Sequence, residues 1–272
     1  MRSLEDPTPE ELESCPFCEG REDRTPPEVL ALPAVKGREP DTPGWKVRVV
    51  PNKYPAFAGH EVVIHSPQHV RSLVELDGAQ LALIAEAWRS RAATARGEGF
   101  AYVFAGVNEG KAAGASLPHS HSQLVWLHEV PPAQAVEEGD GSCRLCALLA
   151  SELLEGTRIV EEREGLVLLC PYAGRVPYEC LIAPLDHESD GFGSDLLAAA
   201  LELAADALRR LHAVEGPRPA NLWLHTGTHW HLELLPRETV FAAIELGTGH
   251  YVNSVAPERA AELLRGASPT AA

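Results

Sequence analysis

The sequence has no surplus of positive charge. Its 272 residues include 23 Lys and Arg against 39 Asp and Glu, a formal net charge of -16 at pH 7. A surface that binds nucleic acid or an anionic membrane needs a surplus of basic side chains, so neither is an expected partner. A small nucleotide needs only a local pocket, and this charge is compatible with one.

Long apolar runs are also missing. No stretch of about 18 apolar residues occurs, and the N-terminal MRSLEDPTPE lacks the charged-then-apolar order of a signal peptide. We therefore expect a cytoplasmic protein without a membrane anchor. In that compartment closely spaced cysteines are more often metal ligands than disulfides.

Four of the six cysteines form two CxxC pairs about half a chain apart, Cys15 with Cys18 and Cys143 with Cys146. Each half of the chain then repeats one order: CxxC, a strand, a strand ending in His, a helix, and a strand carrying HxH. This order predicts a duplication with domains at residues 1–135 and 136–272, joined by a Pro- and acid-rich linker. Residues 1 to about 12 and 266–272 are expected to be loosely ordered tails.

The stretch LPHSHSQLVW, residues 117–126, carries the first HxH motif between β-rich flanks. In a strand, alternate residues share a face, so His119, His121 and Gln123 would lie on one surface. Ser120 and Ser122 would point the other way. Taken alone, the motif fits the polar face of an ordinary strand equally well.

A CxxC pair can bind one side of a tetrahedral ion and leave two positions for other ligands. The matching histidines of each half complete two Cys2His2 sites, and we predict two zinc ions per chain. Four protein ligands fill the zinc shell, which indicates structural sites. The alternative is a reduced thiol pair in a turn. The two predicted sets are Cys15, Cys18, His69 and His119, and Cys143, Cys146, His187 and His229.

With His119 on metal, His121 is left for chemistry. A neutral imidazole can attack phosphorus, and the phosphoramidate formed can be transferred to a second acceptor. Gln123 can donate to a phosphate oxygen but is not an acid, so the leaving group should need little protonation, as a sugar phosphate does. The alternative for His121 is a hydrogen-bonded core histidine.

Several stretches, taken in order, carry a resemblance over nearly the whole chain: CPFC with RTPPE, WKVRVVPNKYP, HEVVIHSPQHVRSL, NEGKAAGASLPHSHSQ, and HWHLELLPR with ELGTGHYVN. They are similar to segments of the galactose-1-phosphate uridylyltransferase family in the histidine-triad superfamily. The resemblance implies an α+β fold of two tandem histidine-triad-like domains, each an antiparallel sheet with a packed helix. It also implies ping-pong transfer of a nucleoside monophosphate through a nucleotidyl-histidine, and a possible homodimer.

The resemblance implies roles for individual residues. His121 is the expected nucleophile, Gln123 and Ser116 lie near the phosphates, and Asn52 and Asn108 bind the nucleotide. His69 and His119 are supported as metal ligands.

The chain departs from the family pattern in three places. The family's HPH is HSH here, which changes only the outer face of the strand. In FAAIELGTGHYVN, Glu245 matches a sugar-binding Glu, but Tyr251 or Val252 replaces a later Gln. This segment is more like the plant-type ADP-glucose phosphorylase branch. HWHLE has no Gln two residues past His231, which predicts a structural copy, and His225 and His231 are left open as part of a different metal site.

The resulting prediction is a nucleotidyltransferase that moves UMP between a nucleotide sugar and a hexose 1-phosphate. Two alternatives remain. One is an ADP-glucose or dinucleoside polyphosphate phosphorylase that uses inorganic phosphate by the same mechanism. The other is a non-catalytic, zinc-stabilised nucleotide-binding protein.

Overall fold

Ten antiparallel strands form one continuous sheet in the computed structural model, which describes residues 7–135, 142–237 and 239–267. The spatial order is β1-β2-β3-β5-β4-β9-β10-β8-β7-β6. The strands are β1 Leu30–Leu32, β2 Val47–Pro51, β3 Gly59–Ile64, β4 Tyr102–Glu109, β5 His121–Leu127, β6 Ile159–Arg163, β7 Leu166–Leu169, β8 Cys180–Pro184, β9 Ala220–His225 and β10 His231–Pro236.

Two long helices pack against each other and against the sheet, and shorter helices lie around them. The helices are α1 Pro9–Ser14, α2 Gly78–Gly97, α3 Pro132–Ala135, α4 Arg144–Glu155, α5 Leu197–Glu215, α6 Ala243–Thr248 and α7 Pro257–Gly266. None of the helices within the described ranges is long and apolar enough to cross a membrane.

Within the described ranges, each half of the chain contributes five strands and one long helix. The order β1-β2-β3-β5-β4 in the first half is mirrored by β6-β7-β8-β10-β9 in the second, and pairing of β4 with β9 joins them. The predicted α+β fold with antiparallel sheets is confirmed. The predicted boundary between residues 135 and 136 borders residues 136–141, which lie outside the described part of the chain, and it stays a prediction.

The two long helices α2 and α5 cover one face of the sheet, where α2 begins at the capping side chain of Asp77 and buries Ile84 and Trp88. On the other face of the first half, a smaller apolar cluster includes Phe17 and Ile64. The sheet therefore has a core face and a second face that is covered only locally.

Strand β5 divides its side chains between these faces as predicted. Ser120 and Ser122 contact the two ring nitrogens of buried His65 on the helix side, at 2.9 and 3.0 Å. Trp88 also donates from Nε1 to Ser122 Oγ at 2.8 Å. His121 and Gln123 consequently lie on the opposite face. The strand itself begins at His121, so His119 lies in the segment just before it.

The start of the chain is more ordered than predicted. Helix α1 forms at Pro9–Ser14, with Thr8 accepting a hydrogen bond from the Glu11 N–H at 3.2 Å. Proline at the first helical position and a threonine cap favour this helix. The predicted tail up to about residue 12 was therefore wrong for residues 9–12, whereas residues 1–6 and 268–272 lie outside the described ranges.

Glu109, at the end of β4, is a buried carboxyl beside the junction of the two halves. It pairs with Ala220 of β9, and it accepts hydrogen bonds from Ser72 Oγ and the Leu73 N–H, both at 2.7 Å. Burial raises the pKa of Glu109 to about 7, although these two hydrogen bonds act in the opposite direction.

We expect Glu109→Gln to alter how stability depends on pH. The pKa is higher in the folded than in the unfolded state, so the contribution of Glu109 is full at low pH and is lost as pH rises through about 7. The neutral variant escapes this loss, so its stability relative to the wild type should rise by up to roughly 3 kcal/mol between pH 5 and pH 8. Urea denaturation across that range measures it. Exposed Glu86→Gln is the control, and a difference independent of pH would contradict the prediction.

Candidate active site

The first predicted metal set lies together on the face away from α2: Cys15, Cys18, His69 and His119. Cys15 Sγ lies 3.4 Å from His119 Nδ1, and Cys18 Sγ lies 3.4 Å from His69 Nδ1. On tetrahedral zinc, bonds of about 2.3 Å to sulfur and about 2.0 Å to nitrogen place the two ligands about 3.5 Å apart. These residues therefore fit a single tetrahedral ion.

The outer nitrogens of both histidines are also bound. His119 Nε2 lies 2.9 Å from the Ser66 carbonyl oxygen, and His69 Nε2 lies 2.9 Å from Glu11 Oε1. Such partners fix which ring nitrogen faces a metal and orient the ring. Sequence reasoning missed Glu11, because it lies 58 residues from His69 in a segment that was predicted to be loosely ordered.

Burial and neighbouring charges shape the protonation of this cluster. Burial and the neighbouring His69 lower the pKa of His119 to about 3, which keeps its imidazole neutral. Burial and the adjacent Cys15 raise the pKa of Cys18 to about 12. A bound dication reverses the preference of such thiols, since the thiolate is the ligand.

The second predicted set also comes together: Cys143, Cys146, His187 and His229. Cys146 Sγ lies 3.3 Å from both His187 Nδ1 and His229 Nδ1. His229 Nε2 lies 3.1 Å from the Pro184 carbonyl oxygen, repeating the outer contact of His119. Each of the two predicted sets could therefore hold a metal ion.

Beside the first cluster, a cavity of about 400 Å³ opens on the same face of the sheet. His121, Gln123, Asn52 and Ser116 all contribute to its wall, so the structure brings these four predicted residues together. The full wall is Pro16, Phe17, Arg24, Thr25, Pro26, Val50, Pro51, Asn52, Lys53, Tyr54, Val62, Ser116, Leu117, His121 and Gln123.

His121 has a defined tautomer in this wall. Its Nδ1 lies 2.8 Å from the carbonyl oxygen of His119. A carbonyl can only accept, so Nδ1 carries the proton and Nε2 keeps the lone pair. Burial lowers the pKa of His121, although the hydrogen bond to His119 acts in the opposite direction. The side chain is therefore a neutral imidazole with a lone pair available at Nε2.

Gln123 contacts a residue that sequence reasoning did not identify. His60 Nε2 lies 2.8 Å from Gln123 Oε1, and the two residues are 63 positions apart. His60 is half-buried on β3, two residues before Val62, which pairs directly with Gln123.

Two predicted substrate-binding residues lie elsewhere. Asn108 Oδ1 accepts a hydrogen bond from Asn221 Nδ2 at 2.7 Å, across the β4–β9 junction. Glu245 lies on α6, where its carboxylate accepts from the Ala242 N–H at 2.9 Å. Among the residues that the structure describes, neither contributes to the wall of the cavity beside His121.

The histidines left open in the second half also meet. His225, His231 and Glu233 form a third cluster, and His225 Nε2 lies 2.7 Å from Glu233 Oε1. Arg175 donates to Glu233 as well. A fixed guanidinium beside the carboxylate favours an ion-pair network at this cluster over a metal ion, because the two cations would repel each other.

The chain is similar to known proteins. The family model described as galactose-1-phosphate uridyl transferase, N-terminal domain, matches residues 53–132. The ADP-glucose phosphorylase of Arabidopsis thaliana is 30% identical over 99% of this chain and 86% of its own length. A galactose-1-phosphate uridylyltransferase of Thermotoga maritima is 30% identical over 75% of this chain and 73% of its own length.

A solved structure shows the same likeness in three dimensions. The crystal structure of an ADP-glucose phosphorylase from Arabidopsis thaliana with bound ADP-glucose superposes with a TM-score of 0.82 and 30% identity, covering 94% of this chain and 91% of that one. Identity at this level over most of both chains, together with the matched family model, shows that the chain belongs to the galactose-1-phosphate uridylyltransferase family.

Proposed function

We propose that this protein is a nucleotidyltransferase that moves AMP from ADP-glucose to inorganic phosphate, releasing glucose 1-phosphate and ADP. The observation that carries the proposal is His121, a neutral imidazole whose Nδ1 is held by the His119 carbonyl in the wall of a cavity of about 400 Å³. The lone pair on Nε2 is the nucleophile that covalent nucleotidyl transfer requires.

The reaction has two displacements at the α-phosphorus. In the first, His121 Nε2 forms a bond to phosphorus, and the bond from phosphorus to the bridging oxygen breaks, so that glucose 1-phosphate leaves. In the second, a phosphate oxygen attacks the same phosphorus and the phosphorus–nitrogen bond breaks, which forms ADP. The cationic imidazole of the intermediate is stabilised because its Nδ1–H already donates to the carbonyl of His119.

Neutral donors surround the reacting group. Gln123, Asn52 and Ser116 line the cavity with His121 and can donate to phosphate oxygens or to the nucleoside. None of these donors is an acid near neutral pH, which suits a leaving group that departs as a phosphate oxyanion.

The choice of adenylyl over uridylyl transfer rests on how far each relative matches. The ADP-glucose phosphorylase matches 99% of this chain, whereas the Thermotoga maritima uridylyltransferase matches 75%. The C-terminal ELGTGHYVN also resembles the phosphorylase branch. Uridylyl transfer to a hexose 1-phosphate, the reaction predicted from the sequence, remains the second candidate because the same cavity and nucleophile serve it.

We assign zinc to both Cys2His2 clusters. Two thiols and two imidazoles at separations of 3.3 to 3.7 Å suit a tetrahedral borderline-soft ion. The protein would fill all four coordination positions of each ion. Zinc would therefore stabilise the fold and would have no open position at which to bind substrate or water. His119 would then fix the carbonyl that orients His121.

A homodimer is part of the proposal. Residues 239–252 expose Val240, Ile244, Leu246 and Val252, each more than half accessible, around Glu245. A second copy that covered this segment would bury these apolar groups. It would also allow Glu245 to reach the cavity of the partner, where a carboxylate can accept from sugar hydroxyls.

Metal content tests the zinc assignment. The purified protein should contain close to two zinc ions per chain, and Cys15→Ser and Cys146→Ser should each lose about one. Structural zinc contributes on the order of 10 kcal/mol to folding, so both variants should melt well below the wild type. Cys170→Ala, a buried cysteine outside both clusters, should keep two ions. Folded protein without metal would contradict the assignment.

A donor and acceptor screen tests the reaction. ADP-glucose, UDP-glucose and dinucleoside polyphosphates are each incubated with inorganic phosphate or a hexose 1-phosphate, and the nucleotide products are separated. We expect the highest kcat/KM with ADP-glucose and phosphate. Preference for UDP-glucose and a hexose 1-phosphate would select the second candidate, and inactivity with all pairs would indicate a non-catalytic nucleotide-binding protein.

Covalent trapping tests the nucleophile. Without acceptor, α-labelled ADP-glucose should leave one labelled AMP per active site, on the peptide that contains ASLPHSHSQ, in a bond stable to alkali and broken by acid. His121→Ala should lose both adduct and transfer while keeping two zinc ions. His231→Ala is the matched control from the second half, where Nδ1 likewise meets the His229 carbonyl at 3.0 Å. An active His121→Ala enzyme would overturn the assignment.

A further inference from the structure

His60 stands behind Gln123 and is held on both ring nitrogens. The Ala56 N–H donates to His60 Nδ1 at 3.2 Å, and His60 Nε2 lies 2.8 Å from Gln123 Oε1. Gln123 belongs to the wall of the cavity, whereas His60 touches Gln123 from outside that wall. Its ring is also flanked by Phe57, with ring centroids 6.5 Å apart. The contact is therefore with the carboxamide and not with the cavity.

The hydrogen-bond pattern determines the tautomer of His60. A backbone N–H can only donate, so Nδ1 must accept from Ala56, and a neutral ring then carries its proton on Nε2. That Nε2–H can donate to Gln123 Oε1. The amide nitrogen of Asn52, a donor, also lies 3.1 Å from Nε2. A ring that accepted from Asn52 would carry its proton on Nδ1, against the Ala56 N–H, and would turn its Nε2 lone pair toward Gln123 Oε1. That tautomer has two unfavourable contacts, whereas the Nε2–H tautomer has one.

The tautomer of His60 in turn sets the orientation of Gln123. If the carboxamide were rotated by 180°, its NH2 would face the Nε2–H of His60, and two donors would meet. With the oxygen held by His60, the NH2 of Gln123 is directed away from His60 and toward the cavity that Gln123 lines. A phosphate oxygen requires this orientation, since it accepts hydrogen bonds and an amide oxygen cannot donate one.

We propose that His60 is a positioning residue that presents the Gln123 amide N–H groups to the phosphoryl group during transfer. This inference rests on the proposed nucleotidyl transfer at His121. Its physical basis is preorganisation: a donor already aligned with the developing charge needs no reorganisation when the reaction occurs. Loss of His60 would let the carboxamide sample both orientations, of which only one donates.

The second half has different chemistry at the equivalent positions. Glu233 of β10 pairs with Leu181 of β8, as Gln123 pairs with Val62, so Glu179 is the counterpart of His60. Arg175 bridges Glu179 and Glu233 there. The Glu233 carboxylate can only accept hydrogen bonds. Two residues after the second HxH histidine, the half that contains His121 therefore has an oriented amide donor, and the other half has an acceptor.

Two amide substitutions separate positioning from packing. Glutamine carries its amide nitrogen about as far from Cβ as histidine carries Nε2, whereas asparagine carries it only as far as Nδ1. His60→Gln can therefore still donate to Gln123, and His60→Asn, of similar polarity, cannot reach. We expect His60→Asn to lower kcat on the order of 10- to 100-fold, with KM for ADP-glucose changed by less than about threefold. His60→Gln should recover most of kcat.

A double-mutant cycle with Gln123 tests whether the effect passes through the carboxamide. In a Gln123→Ala background, His60→Asn should cost less than about twofold further in kcat, because the group that it orients is gone. An equal cost in both backgrounds would overturn the inference. So would equal kcat for wild type and His60→Asn, with zinc content and melting temperature matched.

Two further measurements distinguish failure of the His60 inference from failure of the proposed function. Histidine ¹⁵N NMR of the wild type, assigned with His60→Gln, should show the Nε2–H tautomer, and an Nδ1–H tautomer would overturn the inference whatever the activity.

Exchange of labelled glucose 1-phosphate into ADP-glucose without phosphate measures the first displacement alone. Wild-type enzyme inactive in this exchange and in the donor screen would remove the proposed function and His60's role with it. An active enzyme unaffected by His60→Asn would remove only the role of His60.

Discussion

The hydrogen bond between His121 Nδ1 and the His119 carbonyl links the first metal cluster to the cavity. His119 uses its Nδ1 toward the thiols and its Nε2 toward the Ser66 carbonyl, so both ring nitrogens anchor this segment. Its backbone carbonyl is then fixed as well, and that carbonyl decides which nitrogen of His121 keeps a lone pair. Because alternate residues of an extended chain lie about 7 Å apart on one side, the proposed metal ligand His119 and the proposed nucleophile His121 share one stretch without competing for one imidazole.

The two halves share most features of their clusters and strands and differ in one. Both keep the CxxC pair, two cluster histidines and an HxH motif whose second imidazole meets the carbonyl of the first. They differ one step further along the strand, where Gln123 corresponds to Glu233. The cavity beside His231 is about 230 Å³ against about 400 Å³ beside His121, and the Glu233 carboxylate, which pairs with Arg175, has no N–H to donate to a phosphate. The features that the halves share belong to the proposed metal clusters, and the one that differs lies in the proposed active site.

The sequence predicted the features that depend on local spacing. Alternation along β5 and the repeated CxxC order were sufficient to predict the shared face of His121 and Gln123 and the members of both clusters. Two contacts between distant segments were not predicted, because local spacing carries no information about them. His60 contacts Gln123 across 63 residues, and Glu11 contacts His69 across 58. Asn108 and Glu245 entered only through resemblance. No local spacing pattern pointed to either residue, and neither belongs to the cavity wall as the described residues form it.

Charge explains how a strongly acidic chain can handle phosphorylated substrates. The net charge is -16, yet the cavity beside His121 is lined by Arg24 and Lys53 and, within the described part of the chain, by no carboxylate. Screening over about 8 Å at physiological ionic strength weakens the influence of distant acidic groups, so these two cations dominate locally. The remaining donors, Gln123 among them, are neutral. A cavity with many fixed cations would bind each nucleotide product as tightly as the substrate. Neutral donors aligned with the reacting phosphoryl group instead stabilise the transition state, and the product of each displacement can then leave.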